Sequence, residues 1–453
     1  MSSHVVIVGA GPAGVRCAEA LVAAGVRPVV VDESAADGGQ IYRRQPAGFR
    51  RAGETLYGSE AGKAAALHAT FERLLPAIDY RPGTLAWNVS PGALHTLRGD
   101  HAESIGFDAL VIGVGAVDRL MPVEGWHLAG TYSLGGAQVA LKGQACAIGR
   151  RVVFAGSGPL LYLAAWQYVK AGAGVAAVLD TSPWHAPARA IGGLLAKPGL
   201  LWKGVGIVAG LRARGIPVRS GIAPMAIEGD AQDGVRAFTW HDAGGRVRRV
   251  ECDAVALGWH LRPETQLAEL AGGAFAWDTL TRQWLPEVDP DGRLGVKGVY
   301  LAGDGVRVLG ADAAEDAGRL AAYAVLSDLG REVDASQPPR LRERLAHHRR
   351  FAEALAHAYP WPAHLAKDVP DAAILCRCEG LTAGRLREVA REPGGAELNR
   401  AKALMRVGMG RCQGRYCAHG AAEVVAACCG VPADAVGRLR AQAPVKPLTI
   451  RAG

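Results

Sequence analysis

The chain has 453 residues, 49% hydrophobic and 21% charged, enough for roughly two to four folded domains and unlike the composition of a disordered protein. Its formal charge of +8 comes mostly from scattered arginines, with no basic run interleaved with aromatics, so nucleic acid is not an expected partner. The nine cysteines are too many, too irregular and too widely spread for a secreted disulfide framework, which points to a reducing, cytoplasmic setting; no apolar run approaches the ~20 residues that span a bilayer, so stable membrane insertion is not expected.

From the N-terminus, His4 to Val8 reads as a buried strand and Gly9-Ala-Gly11-Pro12-Ala13-Gly14 as a turn. Val15 to Ala24 is an amphipathic helix, stopped by Gly25. Pro28 to Val31 is a second strand, ending at Asp32 and Glu33. Each glycine of the turn has a physical use. Gly9 permits the tight bend, Gly11 lets backbone approach a pyrophosphate, and Gly14 lets the helix pack close, with its N-terminal N–H groups facing the phosphates. A carboxylate at Asp32 suits a ribose diol. Together these mark a dinucleotide-binding βαβ unit.

The stretch from Gly38 to Leu56, with Gly39 and Gln40, is polar and Arg-rich and reads as a loop. Phe107 to Val114 is another buried strand, ending at Gly115-Ala116. Arg151 to Ala155 then opens a second unit of the same kind: strand, Gly156-Ser-Gly158-Pro-Leu-Leu161, helix to Ala171, and strand Val175 to Leu179 followed by Asp180. Here Leu161 stands where a third glycine or alanine belongs, and is expected to crowd a pyrophosphate. The unit is therefore either a weak NAD(H) site or scaffold. Asp253 to Gly258 reads as its last strand. Val299 to Gly305 returns to the style of the first unit, with Gly303 and Asp304 before a small-residue helix from Ala311 to Ala322. Ser336 to Pro339 punctuates the chain, Arg340 to His357 is a charged helix, and 336–368 reads as a linker. The remainder, 369–453, reads as a small separate module.

Cys17, Cys146 and Cys252 are isolated in apolar stretches and read as small buried hydrophobes. No cysteine pair precedes residue 376, so dithiol chemistry beside a flavin is excluded. Cys376 and Cys378 form one close pair, Cys412 and Cys417 another. Two pairs of thiolates satisfy a [2Fe–2S] cluster; a four-cysteine zinc site is the rival, although zinc ribbons favour a Cys-x2-Cys spacing. Arg377, Arg411 and Arg415 would place positive charge near such a cluster. Cys428 and Cys429 read as core of an apolar helix. No residue is nominated as a general acid or base, because electron transfer is a property of the cofactors.

On these motifs, residues 1–335 resemble flavoprotein reductases with two dinucleotide-binding domains. The resemblance implies an FAD-binding domain from 1–118 and 286–335, and a NAD(P)-binding-like domain from 119–285. It carries FAD onto Gly9, Gly11, Pro12, Ala13, Gly14, Asp32, Glu33, Gly39, Gln40, Gly115, Gly303, Asp304 and Ala311. One departure is Gly113-Val114-Gly115, where relatives often have Ala-Thr-Gly. The Gly9 turn reads only the ADP half, so a bare adenine nucleotide is also consistent; Asp304 favours FAD. Leu375 to Glu379 and Gly408 to Cys417 closely resemble the bacterioferritin-associated-ferredoxin-like [2Fe–2S] domain. With Gly38 to Pro46 and Tyr132 to Gln138, the whole chain resembles the α-type subunit of heteromeric amino-acid and opine dehydrogenases. The expected fold is thus α/β: two Rossmann-like domains without the redox disulfide, plus a small, mainly helical [2Fe–2S] domain. The resemblance implies an electron-transfer role beside an FAD-containing β subunit of the amino-acid-oxidase type, with room for a small third subunit. Two alternatives stay open at this point: a self-contained NADH-dependent reductase, and a non-enzymatic nucleotide-binding scaffold held by metal.

Overall fold

The computed structural model describes residues 3–49 and 51–449; Arg50, in the expected loop, and the last four residues of the C-terminal segment lie outside the described residues. Two five-stranded parallel sheets organise the chain. In the first, the strands run in the order Val299–Leu301, Ala109–Ile112, Val5–Val8, Val29–Val31, Asp79–Arg81. Val5–Val8 is central and buried at every position, as a continuous apolar run covered on both faces requires. Helices Pro12–Ala23 and Ala311–Asp328 cover one face and touch closely: a β-carbon on Gly318 would lie 2.0 Å from the Ala13 carbonyl oxygen.

The second sheet has the order Val218–Ser220, Val175–Asp180, Val152–Ser157, Ala254–Trp259, Thr131–Ser133. Ala254–Trp259 is therefore interior rather than an edge, paired with Val152–Ser157 through six residues. The repeat seen in the sequence extends further than the Gly turns. Each half also carries a three-stranded antiparallel sheet, Thr84–Ser90, Ala93–Arg98 and His101–Gly106 in one, Ala223–Asp230, Gly234–His241 and Val247–Glu251 in the other.

The chain crosses between the halves twice, through Ala116–Asp118 and back through Leu261–Pro263. These two segments pair antiparallel, with Arg262 opposite Val117. The loop after Asp32 is irregular except for the short helix Gly53–Leu56. The linker is one long helix, Gln337–Ala358, which buries Leu341, Phe351, Ala354 and Ala358 against Ala311–Asp328 and the short helices Ala186–Arg189 and Ile191–Leu194.

After the linker, a hairpin of Ile374–Cys376 and Leu381–Thr382 leads to helices Ala383–Arg391, Leu398–Met405, Ala418–Cys429 and Ala433–Val436. This segment does not pack as a body of its own. One buried cluster runs from Leu120, Trp126, Val255 and Trp259 through Trp361 into Leu375, Leu386, Val407 and Val424. Among the described residues no helix is long and apolar enough to cross a membrane.

Candidate cofactor-binding sites

The first Gly turn is shaped for close approach of backbone. Gly9 has φ +105°, and a β-carbon there would lie 2.5 Å from the Gly113 carbonyl oxygen; on Gly14 it would lie 1.8 Å from the Gly9 oxygen. Gly113, the departure noted in the sequence, thus packs against the turn and needs no larger residue. The Gly38 N–H donates to the Ala10 carbonyl (2.9 Å), which brings Gly39 over Gly11, where a β-carbon would lie 3.0 Å from Gly11 Cα. Helix Pro12–Ala23 starts at Gly11 with no side-chain cap, so its first N–H groups are free for a phosphate. Helix Ala311–Asp328 starts the same way at Gly310, and Gly303 brings the two starts together: its β-carbon would meet Ala13 Cβ at 3.0 Å and Ala314 Cβ at 3.1 Å.

Asp32 is buried and braces the turn, accepting from the Ala10 N–H and the Ser34 N–H, both at 2.6 Å. Burial raises its pKa. Glu33 beside it is exposed and ion-paired with Lys446 of the C-terminal tail. Asp304 accepts from the Leu309 and Gly310 N–H groups (2.9 and 3.0 Å), fixing the loop before the second helix start. Gly115, with φ +73°, faces open space where a β-carbon would stand. Gln40 accepts from Arg43 (2.9 Å). Two uncapped helix starts, a glycine cradle and an acid at the strand tip fit the pyrophosphate and ribose of a dinucleotide.

The second Gly turn does not fit one. The His260 ring lies on it: a β-carbon on Gly158 would meet ring atoms at 3.2–3.3 Å. His260 has φ +62°, and its Nε2 bonds the Tyr359 carbonyl oxygen at 2.7 Å. Asp180 is occupied by Tyr162, whose hydroxyl donates at 2.5 Å, and by the Ser182 N–H at 2.7 Å; burial pushes its pKa up to about 6. Leu161, expected to be the obstruction, instead points into the core of that half. The turn is closed by His260 and the end of the linker helix.

The four cysteines near the C-terminus converge. Cys376 ends a hairpin strand and Cys378 sits in its turn; Cys412 lies in a loop and Cys417 caps helix Ala418–Cys429. A β-carbon on Gly410 would lie 2.3 Å from Cys378 Cβ, so the two loops touch where only glycine is admitted. Cys417 hydrogen-bonds Cys376 and Cys412, and Cys412 also bonds Cys378. Bonding from Cys417 lowers the Cys376 and Cys412 pKa values, helped by N–H groups of Gly408 and Glu379 at one and Tyr416 and Gly414 at the other. Gln413 (φ +51°) and Gly414 (φ +78°) turn the loop so that those amides face inward. Among the described residues, no group of three or more His, Cys, Asp and Glu side chains could hold a single metal ion.

Of the remaining cysteines, Cys17 and Cys252 are buried, and burial pushes the Cys252 thiol up to about 12. Cys146 departs from expectation: it is exposed, because helix Leu134–Gly143 ends just before it and Ala145 takes φ +57°.

A family model described as pyridine nucleotide-disulphide oxidoreductase matches residues 3–319. The chain belongs to that family. Within it, the chain is 36% identical to an opine oxidase subunit of Rhizobium meliloti, over 98% of this chain and 86% of that one, and groups with that relative. It is 29% identical to hydrogen cyanide synthase subunit HcnB of Pseudomonas protegens, over 100% and 97% of the two chains. The L-proline dehydrogenase from P. horikoshii shares its fold, with a TM-score of 0.70 at 20% identity over 99% of this chain and 78% of that one. The chain is therefore an oxidoreductase with an α/β dinucleotide-binding fold. It departs from the disulphide chemistry in the family's description, since no two cysteines stand together in the matched region.

Several residues at these sites carried no signal in the sequence. Arg119 is buried, stacks on Trp361 at 3.7 Å, contacts His419 and donates to the Thr281 and Arg282 carbonyls. Arg262, Glu264 and Tyr359 likewise gain their roles from segments distant in sequence. One hint was available: Arg119 and Arg262 flank the two crossings between halves, where the chain must face whatever packs on both.

Proposed function

We propose that the chain is the electron-transfer subunit of a heteromeric oxidoreductase acting on the C–N bond of an amino acid or opine. In this reading it binds FAD at the Gly9 turn and a [2Fe–2S] cluster on Cys376, Cys378, Cys412 and Cys417. The substrate is oxidised on an FAD-containing partner of the amino-acid-oxidase type. The observation that carries the reading is the convergence of the four thiols in a chain alike over nearly its whole length to the opine oxidase subunit of Rhizobium meliloti. A two-iron cluster asks each iron for only two side chains, so a group of three around one point is not required. A bound flavin would accept an electron pair, and a cluster single electrons.

The residues' own part is positional. The Ala13 and Gly14 amides and the start of Ala311–Asp328 would hold the pyrophosphate, Asp32 and Glu33 the ribose side, and Asp304, Gly115, Gly39 and Gln40 the flavin side of the cradle. Amides of Gly408, Gly414 and Tyr416 would hold the thiolates. Closure of the second turn by His260 and Tyr359 supports electrons arriving from a partner rather than from NADH. The test is co-expression with the adjacent-gene flavoprotein, followed by visible spectra and dye reduction with a panel of amino acids and opines. The complex is expected to reduce dye while neither subunit does so alone; oxidation of an amino acid by this chain unaided would overturn the division of labour.

A further inference from the structure

The return crossing between the halves delivers two charged side chains to the cysteine loop. Glu264 receives Arg415 as a two-point ion pair, Nε to Oε2 at 2.6 Å and Nη2 to Oε1 at 3.3 Å, with side chains only 12% and 9% exposed. Arg262 donates to the Arg415 carbonyl oxygen at 2.9 Å and is close enough to Cys412 and Cys417 to feel their charge. Arg415 also donates to the carbonyls of Cys412 (3.3 Å) and Val445 (2.6 Å). On its far side, the Glu264 N–H donates to the Gly115 carbonyl oxygen at 3.0 Å, at the open edge of the glycine cradle. A chain of contacts thus runs from Cys412 through Arg415 and Glu264 to Gly115.

Arg377 and Arg411, nearer in sequence to the cysteines, are exposed, so water and salt screen them. The Arg262, Glu264 and Arg415 charges are enclosed and act at a lower effective dielectric. We propose that this triad sets the reduction potential of the four-cysteine centre, Arg262 raising it and Glu264 lowering it. The inference rests on the reading that those cysteines hold a [2Fe–2S] cluster. Its physical basis is simple. Reduction adds one electron to a centre already made anionic by four thiolates, so enclosed positive charge favours the reduced form and enclosed negative charge opposes it.

The experiment is an anaerobic dithionite titration of the full-length protein with redox mediators, followed by electron paramagnetic resonance. Arg262→Met is expected to lower the reduced-to-oxidised ratio at fixed potential about tenfold, or about 59 mV for one electron, and Glu264→Gln to raise it by a similar factor. Arg262→Lys keeps the charge and is expected to restore the ratio to within about twofold. Opposite shifts distinguish tuning by charge from a structural brace, whose loss would move both variants alike. Shifts of the same sign, shifts below twofold in both, or no rescue by lysine would overturn the proposal. Should Glu264→Gln fold poorly because Arg415 is left unpaired, the methionine and lysine variants at Arg262 still decide. An iron–sulfur signal with unshifted potentials sinks the triad alone; no signal in the unaltered protein removes the cluster reading and the triad with it.

Discussion

His260 is held on the second Gly turn as a neutral ring. Burial lowers its pKa to about 4, its hydrogen bond to the Tyr359 carbonyl opposes this, and the Arg119 charge adds to the lowering. In the unfolded chain the ring titrates near the ordinary value of about 6.5. Between those values the unfolded state binds the proton and the folded state does not, so stability rises with pH across that window and is lost as pH falls through it. By pH 5 the loss amounts to about 2 kcal/mol relative to neutral pH. His419, also buried and lowered, adds a slope of the same sign, so the informative quantity is a difference. His260→Gln retains a donor for Tyr359 but does not titrate. Denaturant unfolding at pH 7 and pH 5 is expected to show a smaller acid loss in this variant than in the parent chain; equal losses would mean that the ring is not held neutral. The same residue shows how far sequence reading reached. The glycines at 9, 11 and 14 were legible because their spacing reflects local steric needs. His260 was not, because its role depends on Tyr359, about a hundred positions away, coming back to meet it.

The two Gly turns are alike in backbone and unlike in access. At the first, the loop carrying Gly39 folds over the turn and the helix start stays uncapped, leaving N–H groups free. At the second, strand Ala254–Trp259 runs on into His260, the linker helix ends at Tyr359, and the two meet over Gly158. The sequence correctly marked the second turn as degenerate but placed the fault at Leu161, a side chain that packs inward. Helix periodicity alone does not say which face of the first turn meets the sheet, and this is why the residue was misassigned. It follows that NADH has no phosphate-binding surface here. Anaerobic mixing of flavin-loaded protein with millimolar NADH is expected to leave the flavin spectrum unchanged. Bleaching on the timescale of turnover would show that His260 and Tyr359 move aside, and would revive the self-contained reductase.

Across the whole molecule, the two dinucleotide-binding halves were legible because each strand, turn and helix carries its own local signature. The three-stranded sheets that complete the repeat were not, since their short alternating strands resemble surface loops in composition. The larger surprise is the C-terminal segment. Its cysteines and the punctuation at Ser336 to Pro339 suggest an independent module, but its packing is shared. Trp361 lies between Arg119 and His419 and donates to Glu423, while Trp126 donates to the Ile374 carbonyl and Arg282 pairs with Glu423 at 2.8 Å. Gly420 abuts Pro122, where a β-carbon would lie 2.7 Å from Cδ, so helix Ala418–Cys429 sits directly on the dinucleotide-binding body. A core shared in this way unfolds as one unit, because opening either part exposes apolar surface on both. A chain ending at Asp368 would leave Leu120, Met121, Trp126 and Trp361 uncovered and is expected to be largely insoluble. Calorimetry of the full chain should show the second half and the C-terminal segment melting together, with far-ultraviolet dichroism following the same transition. Two resolved transitions, with a soluble truncated chain matching one of them, would show that the cysteine-bearing segment folds independently after all.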